Sequence, residues 1–295
     1  MSAHAQQLSP AQGGVLPSDD DVAFYDEHGW FVSPRVLADD VIDDALRGCE
    51  RYYRGERDMP FPLRSGFRDW KPEDGDIVRN NEFVSLQNRD VRRLALQPII
   101  GAIAARLART RRIRLLDDQL IYKPGGLATN GAVGWHTDRA YWPNCTSDNM
   151  LTAWIPFHDC DEARGPLVVI DGSHKWSGMD DLRFFNNPDL ERSEADFKRS
   201  ASQKVVRVPI VLRKGQISFH HCRTIHASYP NRTNTFRLAL AVHLQDDANR
   251  YRPFQNSQGK DIHMVDEQIC QTLPDGTPDF TDPSAFPELW SEDGA

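Results

Sequence analysis

The chain has 295 residues, with 35 Lys and Arg against 43 Asp and Glu, for a formal net charge of −8. That length is ample to bury a core, and no run approaches the roughly 20 apolar residues a membrane-spanning helix needs. Net acidity disfavours broad electrostatic binding to nucleic acid or anionic lipid, both of which usually require a clustered basic face, and turns the reading toward small-molecule chemistry.

Residues 1–17 are small and polar and lack the basic-then-apolar order of a secretory signal. Residues 1–18 are expected to form a loose tail, followed by one domain over 19–295. Within that domain a helical part (19–110) precedes a strand-rich core (111–248), and a tail (249–295) with Phe254, Phe280, Phe286 and Trp290 is expected to pack on the core. The five cysteines, Cys49, Cys145, Cys160, Cys222 and Cys270, lie far apart and form no CxxC. An odd, scattered set disfavours a disulfide framework or a zinc ribbon and fits a reducing cytoplasm.

Asp19 and Asp20 can cap a short helix that ends at Gly29, with a short strand at 30–32 behind it. Residues 38–54 read as an amphipathic helix, with Val41, Ala45, Cys49 and Tyr53 spaced by four along one face. The stretch 55–88, which holds Phe61, Phe67, Trp70 and Phe83, is irregular and too long for an idle connection. Two readings stay open for it, a lid and a packed surface loop. Residues 89–110 are helical on both sides of Pro98. Beyond Arg111 the pattern turns to short apolar or alternating runs, at 113–122, 150–157, 166–171, 205–212, 216–221 and 236–244. A polar insertion covers 176–204. Helices followed by such strands make an α+β class with a closed two-sheet roll as its core. No fixed repeat and no glycine-rich phosphate loop is present.

The densest chemistry is Gly134-Trp135-His136-Thr137-Asp138. In an extended segment, side chains two apart point the same way, so His136 and Asp138 can converge on one ion. A second imidazole would complete the two-histidine, one-carboxylate face that non-haem Fe(II) oxygenases use. An H-x-D tripeptide alone arises often by chance. His220, His221 and His226 compete for the remaining position, and His226 sits where a strand gives way to a loop and a ligand can reach inward. Arg237 opens the following strand eleven positions on. A buried arginine beside a metal needs an anion, and a dicarboxylate that chelates the metal at one end would supply one at the other.

These pieces resemble the phytanoyl-CoA dioxygenase family of Fe(II)- and 2-oxoglutarate-dependent oxygenases. The resemblance is carried by Tyr122-Lys123-Pro124-Gly125-Gly126, His136-Thr137-Asp138, Leu151-Thr152-Ala153-Trp154, Gly172-Ser173-His174-Lys175, and 215–228 with Arg237, in the family's order across roughly 115–245. It implies a double-stranded β-helix, a distorted cupin-like jelly roll. It also implies His136, Asp138 and His226 as iron ligands and catalytic centre, with Arg237 and Ser228 on the distal carboxylate of 2-oxoglutarate. Gln119, Lys123 and Trp154 should border that co-substrate, although the Lys123 ammonium could instead reach solvent. By the same resemblance O2 reacts at the iron, 2-oxoglutarate leaves as succinate and CO2, and a C–H of the substrate is hydroxylated. In related halogenases a small residue stands at the position of Asp138 and leaves room for chloride; a carboxylate closes that route. Desaturation, cyclisation or rearrangement could follow from the same substrate radical.

Arg139, Tyr141 and Trp142 follow the metal motif closely enough to meet substrate, with aromatic packing as the alternative for the two rings. Trp70 and Arg79, in the lid candidate, are also possible substrate contacts. His243 shares strand parity with Arg237 and could face the cavity. No basic cluster points to the phosphates of coenzyme A, so a small secondary metabolite is favoured over an acyl-CoA. Two rival readings are a metal cupin without a keto-acid, which has no need of Arg237, and a noncatalytic jelly-roll binding module whose metal site has decayed, against which the intact His136, Asp138 and His226 set speaks. Oligomeric state is not legible from the sequence.

Overall fold

The first long helix is capped by Ser18 and not by Asp19 or Asp20: the Ser18 hydroxyl accepts the amide of Asp21, whose carboxylate accepts the Ser18 amide in return. The computed structural model describes residues 8–61, 70, 72–126, 131–198 and 204–292. Part of the expected loose tail is ordered within it. Helix α1 (Pro10–Gly13) has its own capping box, and Leu8 and Leu16 pack against the core.

The helical layer consists of α2 (Asp19–His28), α3 (Asp39–Tyr53), α4 (Arg89–Ala95) and α5 (Pro98–Ala108). Gly29 ends α2 in the left-handed conformation, and Pro98 starts α5 where its missing N–H is harmless. Two short helices follow later, α6 (Leu190–Lys198), inside the polar insertion, and α7 (Val265–Ile269). The strands are β1 (Trp30–Val32), β2 (Arg79–Glu82), β3 (Arg112–Lys123), β4 (Val133–His136), β5 (Leu151–Pro156), β6 (Leu167–Ile170), β7 (Arg207–Ile210), β8 (Ser218–His221), β9 (His226–Ser228), β10 (Arg237–Asp246), β11 (Phe254–Gln255), β12 (Asp261–Ile262) and β13 (Glu288–Ser291).

The larger sheet runs β1-β8-β5-β10-β3-β13, with β2 also on β3, and the smaller runs β4-β9-β6-β7. All pairings are antiparallel. This is the two-sheet roll that the alternating strands predicted. Strand β2 lies inside the candidate lid, so that part of 55–88 is a hydrogen-bonded wall; Phe67 lies outside the described residues. The tail contributes β13, and Phe280 and Phe286 are buried in one cluster with Trp142 and Met150.

The two faces of the large sheet differ in chemistry. Leu120, Leu151, Phe219, Leu238, Leu240 and Val242 point outward into the main core, which the helices cover with residues such as Ile99, Ile100 and Ile103, all fully buried. Each such side chain contributes roughly 1.5–3 kcal/mol on burial. The alternate positions face inward and are largely polar: Asp117, Gln119 and Lys123 on β3, Arg237 and His243 on β10, Thr152 on β5 and His220 on β8. Their registers align them in rungs, Asp117↔His243↔Thr152↔His220 at one end and Lys123↔Arg237 at the other. A register shift after His243 marks the first of these rungs. Among the described residues no helix is long and apolar enough to cross a membrane.

Gly134 is required by close approach. A Cβ there would lie 1.9 Å from the carbonyl oxygen of Phe184 and 2.3 Å from that of Asn187, both backbone atoms. The Gly134→Ala variant is therefore expected to lose roughly 1–3 kcal/mol of stability, read as a lower urea midpoint or Tm. Wild-type stability in that variant would contradict the packing of 184–187 on β4.

Candidate active site

His136 ends β4 and His226 begins β9, and the two are register partners across this antiparallel pair. Asp138 follows His136 at the start of a 3-10 turn, Asp138–Tyr141, which swings its carboxylate back toward both rings. One donor atom from each of the three lies within 4.8 Å of the others, and all three residues are buried. The Asp138 Oδ1 atom is 3.8 Å from His136 Nε2 and 3.5 Å from His226 Nε2. His136 Nδ1 donates to the carbonyl of Gly134 at 2.8 Å, and His226 Nδ1 donates to that of Thr224 at 2.9 Å. Each bond holds the proton on Nδ1 and leaves the Nε2 lone pair facing the centre, as a metal ligand requires.

The carboxylate divides its oxygens between two tasks. Asp138 Oδ2 accepts from the Thr152 hydroxyl at 2.6 Å and from His220 Nε2 at 3.1 Å, so Oδ1 stays open toward the imidazoles. Thr152 Oγ1 also receives His243 Nδ1 at 2.8 Å, which fixes that ring in the tautomer with Nε2 as an acceptor. Burial would raise the Asp138 pKa, but His226 and His220 outweigh it and hold the group well below the carboxylate range. Burial lowers His136 and, with help from His136 and His220, lowers His226 further. Ionised carboxylate and neutral imidazoles are the protonation states that bind a divalent cation. The donor set fits iron: two imidazoles and one carboxylate on a single side.

Behind the triad a cavity of about 30 Å³ lies between the two sheets, lined in part by Gln119, Trp154 and Ser228. At this end Arg237 and Lys123 are both fully buried. Arg237 donates to Ser228 Oγ at 3.3 Å, and its guanidinium stands 5.5 Å from the Trp154 ring centroid. Its Nε has no hydrogen-bond partner among the described residues. Lys123 Nζ donates to the carbonyls of Ser228 and Tyr229 at 3.1 and 2.8 Å, so the ammonium does not reach solvent. Burial brings the Arg237 pKa down to about 10, and burial together with Arg237 lowers Lys123 well below its usual value. A buried guanidinium with a spare N–H, beside a lysine that an anion would hold protonated, forms a site that an anion completes. The distal carboxylate of 2-oxoglutarate has the charge and the acceptors to do so.

A second cavity, of about 300 Å³, opens on the other side of His136 and Asp138. Tyr141 and Trp142 line it. Arg139 does not line either cavity. Its guanidinium is spent on Asp148 and on the carbonyls of Trp142 and Cys145, so it clamps the turn that follows the metal motif. Trp70 and Arg79 are likewise turned away. Arg79 pairs with Tyr122 on the outward face of β2, its guanidinium 3.7 Å from the Trp70 ring and 4.0 Å from the Tyr122 ring. The alternate residues Asn80 and Glu82 face the cavity instead. Sequence reasoning missed Thr152 and His220 as holders of Asp138, and Glu82, Asp117, Phe185 and Asp266 as cavity wall. Strand parity with Gln119 was a usable signal for Asp117; Phe185 and Asp266 come from segments with no periodic pattern.

The family model for Phytanoyl-CoA dioxygenase (PhyH) matches residues 25–239. The peroxisomal phytanoyl-CoA dioxygenase of Homo sapiens is 31% identical over 263 residues, covering 82% of this chain and 72% of the human protein. That of Bos taurus is 26% identical over 88% of this chain and 78% of its own length. Among solved structures, the non-haem alpha-ketoglutarate-dependent carbocyclase SnoK from nogalamycin biosynthesis superposes with a TM-score of 0.63 at 26% identity, over 84% of this chain and 94% of its own. The epimerase SnoN, solved with Fe3+, alpha-ketoglutarate and nogalamycin RO, shares the fold with a TM-score of 0.65 at 24% identity, over 92% and 98%. A buried His-Asp-His face, a cationic pocket behind it and a match over most of the length agree: the chain belongs to the phytanoyl-CoA dioxygenase family and is an iron- and 2-oxoglutarate-dependent dioxygenase.

Proposed function

We propose that the enzyme hydroxylates an unactivated C–H of a small secondary metabolite, with His136, Asp138 and His226 as the ligands of Fe(II). The carrying observation is the convergence of their donor atoms within 4.8 Å, with both imidazole tautomers set by backbone carbonyls. Iron and 2-oxoglutarate, when bound, supply the activation of O2 that removes the substrate hydrogen and releases succinate and CO2.

The chain's own residues bind, orient and shield. Arg237 and Ser228 hold the distal carboxylate of 2-oxoglutarate, and Lys123 adds positive potential behind them. Gln119 lines both that pocket and the larger cavity, and Trp154 lines the pocket alone. Thr152 and His220 keep Asp138 Oδ2 engaged, so that Oδ1 is presented at one fixed angle. The carboxylate of Asp138 fills the third protein position and leaves no slot for a halide. Tyr141 and Trp142 flank the substrate and limit water at the reacting carbon. Cyclisation is the second reading, favoured by the likeness to the carbocyclase SnoK; it begins with the same hydrogen abstraction and differs in how the substrate is held afterwards. We place the enzyme in the cytoplasm, a reading supported by its five free cysteines, four of them buried.

Anaerobic addition of Fe(II) and then 2-oxoglutarate is expected to produce the weak visible charge-transfer band of the chelate, and His226→Ala is expected to abolish it. A well-folded wild-type protein without the band would refute the ligand assignment. Arg237→Ala should weaken 2-oxoglutarate roughly 100-fold or more, because a buried charge partner is removed; unchanged affinity would place the distal carboxylate elsewhere. Thr152→Val should leave 2-oxoglutarate affinity close to wild type while lowering Fe(II) affinity by about 10- to 100-fold. If iron binding in that variant is unaffected, Thr152 does not orient Asp138.

A further inference from the structure

The inner face of the large sheet is charged at both ends and with opposite sign. Lys123 and Arg237 form one rung, and Asp117 lies six residues back along β3, roughly 20 Å away at about 3.4 Å per residue. The cationic end is the 2-oxoglutarate pocket. The anionic end borders the larger cavity, where Glu82, Asp117 and Asp266 stand in the wall in addition to Asp138. None of the described residues lining this cavity is a lysine or an arginine.

These carboxylates come from three separate segments. Glu82 is on β2, beside Gln119 of β3, which donates to its Oε1 at 3.2 Å. Asp117 is 8% exposed; its Oδ1 accepts the amides of Asp118 and Phe83 at 2.6 and 3.3 Å, while its Oδ2 has no hydrogen-bond partner among the described residues and borders the cavity. Asp266, 7% exposed, reaches in from α7. Among the described residues only the His136, Asp138 and His226 set brings three such donor atoms within 4.8 Å of one another, so the wall carboxylates do not form a second metal site. They are spread around a space large enough for an organic group. Burial first, then Glu82 and Asp266, raises Asp117, and burial with Glu82 brings Asp266 up to about 7. Three carboxyl groups thus share one wall, and a cation placed among them favours their ionised form and meets the free acceptor on Asp117.

The remaining wall suits the body of such a ligand. Phe83, Trp142 and Phe185 offer ring faces, against which an ammonium or its adjoining methylenes can rest. Phe83 holds a left-handed backbone, φ 54°, which is costly for a bulky residue; from it the amide meets Asp117 while the residue lines the cavity. Asp117 and Thr152 occupy one rung, two strand spacings or roughly 10 Å apart. Thr152 holds Asp138, so that span leaves room for a ring or several bonds between the bound cation and the carbon presented to the metal. An acidic or phosphorylated group in the same place would face like charge.

We propose that the substrate carries a protonated amine, held by Asp117, Glu82 and Asp266 at the end of the cavity away from the 2-oxoglutarate pocket. This rests on the oxygenase reading for the meaning of the cavity, and the test separates the two. Full-length protein is loaded anaerobically with Fe(II) and 2-oxoglutarate, and the binding of 4-phenylbutylamine, 4-phenylbutanol and 4-phenylbutyrate is compared by calorimetry, in the loaded and the iron-free protein. The amine is expected to bind about tenfold or more tighter than the alcohol, with the carboxylate weakest. Asp117→Asn and Glu82→Gln should each remove most of that preference while the chelate band is retained. Glu82→Gln keeps the test decisive if loss of the Asp117 carboxylate disturbs folding. An amine that binds no better than the alcohol, including no binding by any of the three, overturns the proposal, as does a preference that survives in both variants. A preferred amine in a protein that forms no chelate band would refute the oxygenase reading and leave the cation site standing.

Discussion

The arrangement depends on how one antiparallel face disposes of buried charge. Asp138 cannot be left alone in a dry interior, and its Oδ2 is met by a hydroxyl and an imidazole N–H from neighbouring strands. That leaves Oδ1 as the group with work to do, opposite two Nε2 lone pairs. A carboxylate with both oxygens satisfied by protein would be a structural ion pair. One with neither oxygen held would swing and desolvate poorly. The division of its two oxygens is what makes the site a rigid ligand set.

The same logic extends along the sheet. Outward side chains are apolar and are covered by helices, which leaves the inward positions of β3, β5, β8 and β10 free to be polar without weakening the core. Pairing register then decides which polar groups meet. A one-residue slip of β10 against β3 would turn Arg237 and His243 into the helical layer and bring Leu238 and Val242 into the site. The apolar pattern therefore protects the chemistry, because the helices accept only the aliphatic set. The second sheet adds the two histidines of the proposed ligand set through a single register pair, His136↔His226.

Legibility followed locality. His136 and Asp138 were readable because two residues in an extended segment share a direction, and Arg237 because a charged residue at the head of an apolar strand demands a partner. Arg79 shows the limit. The stretch around it has no apolar alternation, so nothing in it reveals which of Arg79 and Asn80 faces inward; pairing with β3 sends Arg79 out to Trp70 and Tyr122 and Asn80 in. Arg139 fails for another reason. Its place beside the metal motif is right, but Asp148 and the carbonyls of Trp142 and Cys145 capture the guanidinium.

What the sequence by itself determined was the α+β class, the alternating strands of the roll and the family, since each of these is written in spacing or in residue type over short stretches. Tertiary structure alone decided that Thr152 and His220 hold Asp138, that Lys123 caps carbonyls in the interior, and that Glu82, Asp117 and Asp266 face one cavity. Those groups come from segments far apart in the chain, and their meeting is set by strand register and by a helix of the tail. No local pattern encodes that convergence, because the free energy that enforces it lies in the packing of the opposite, apolar face.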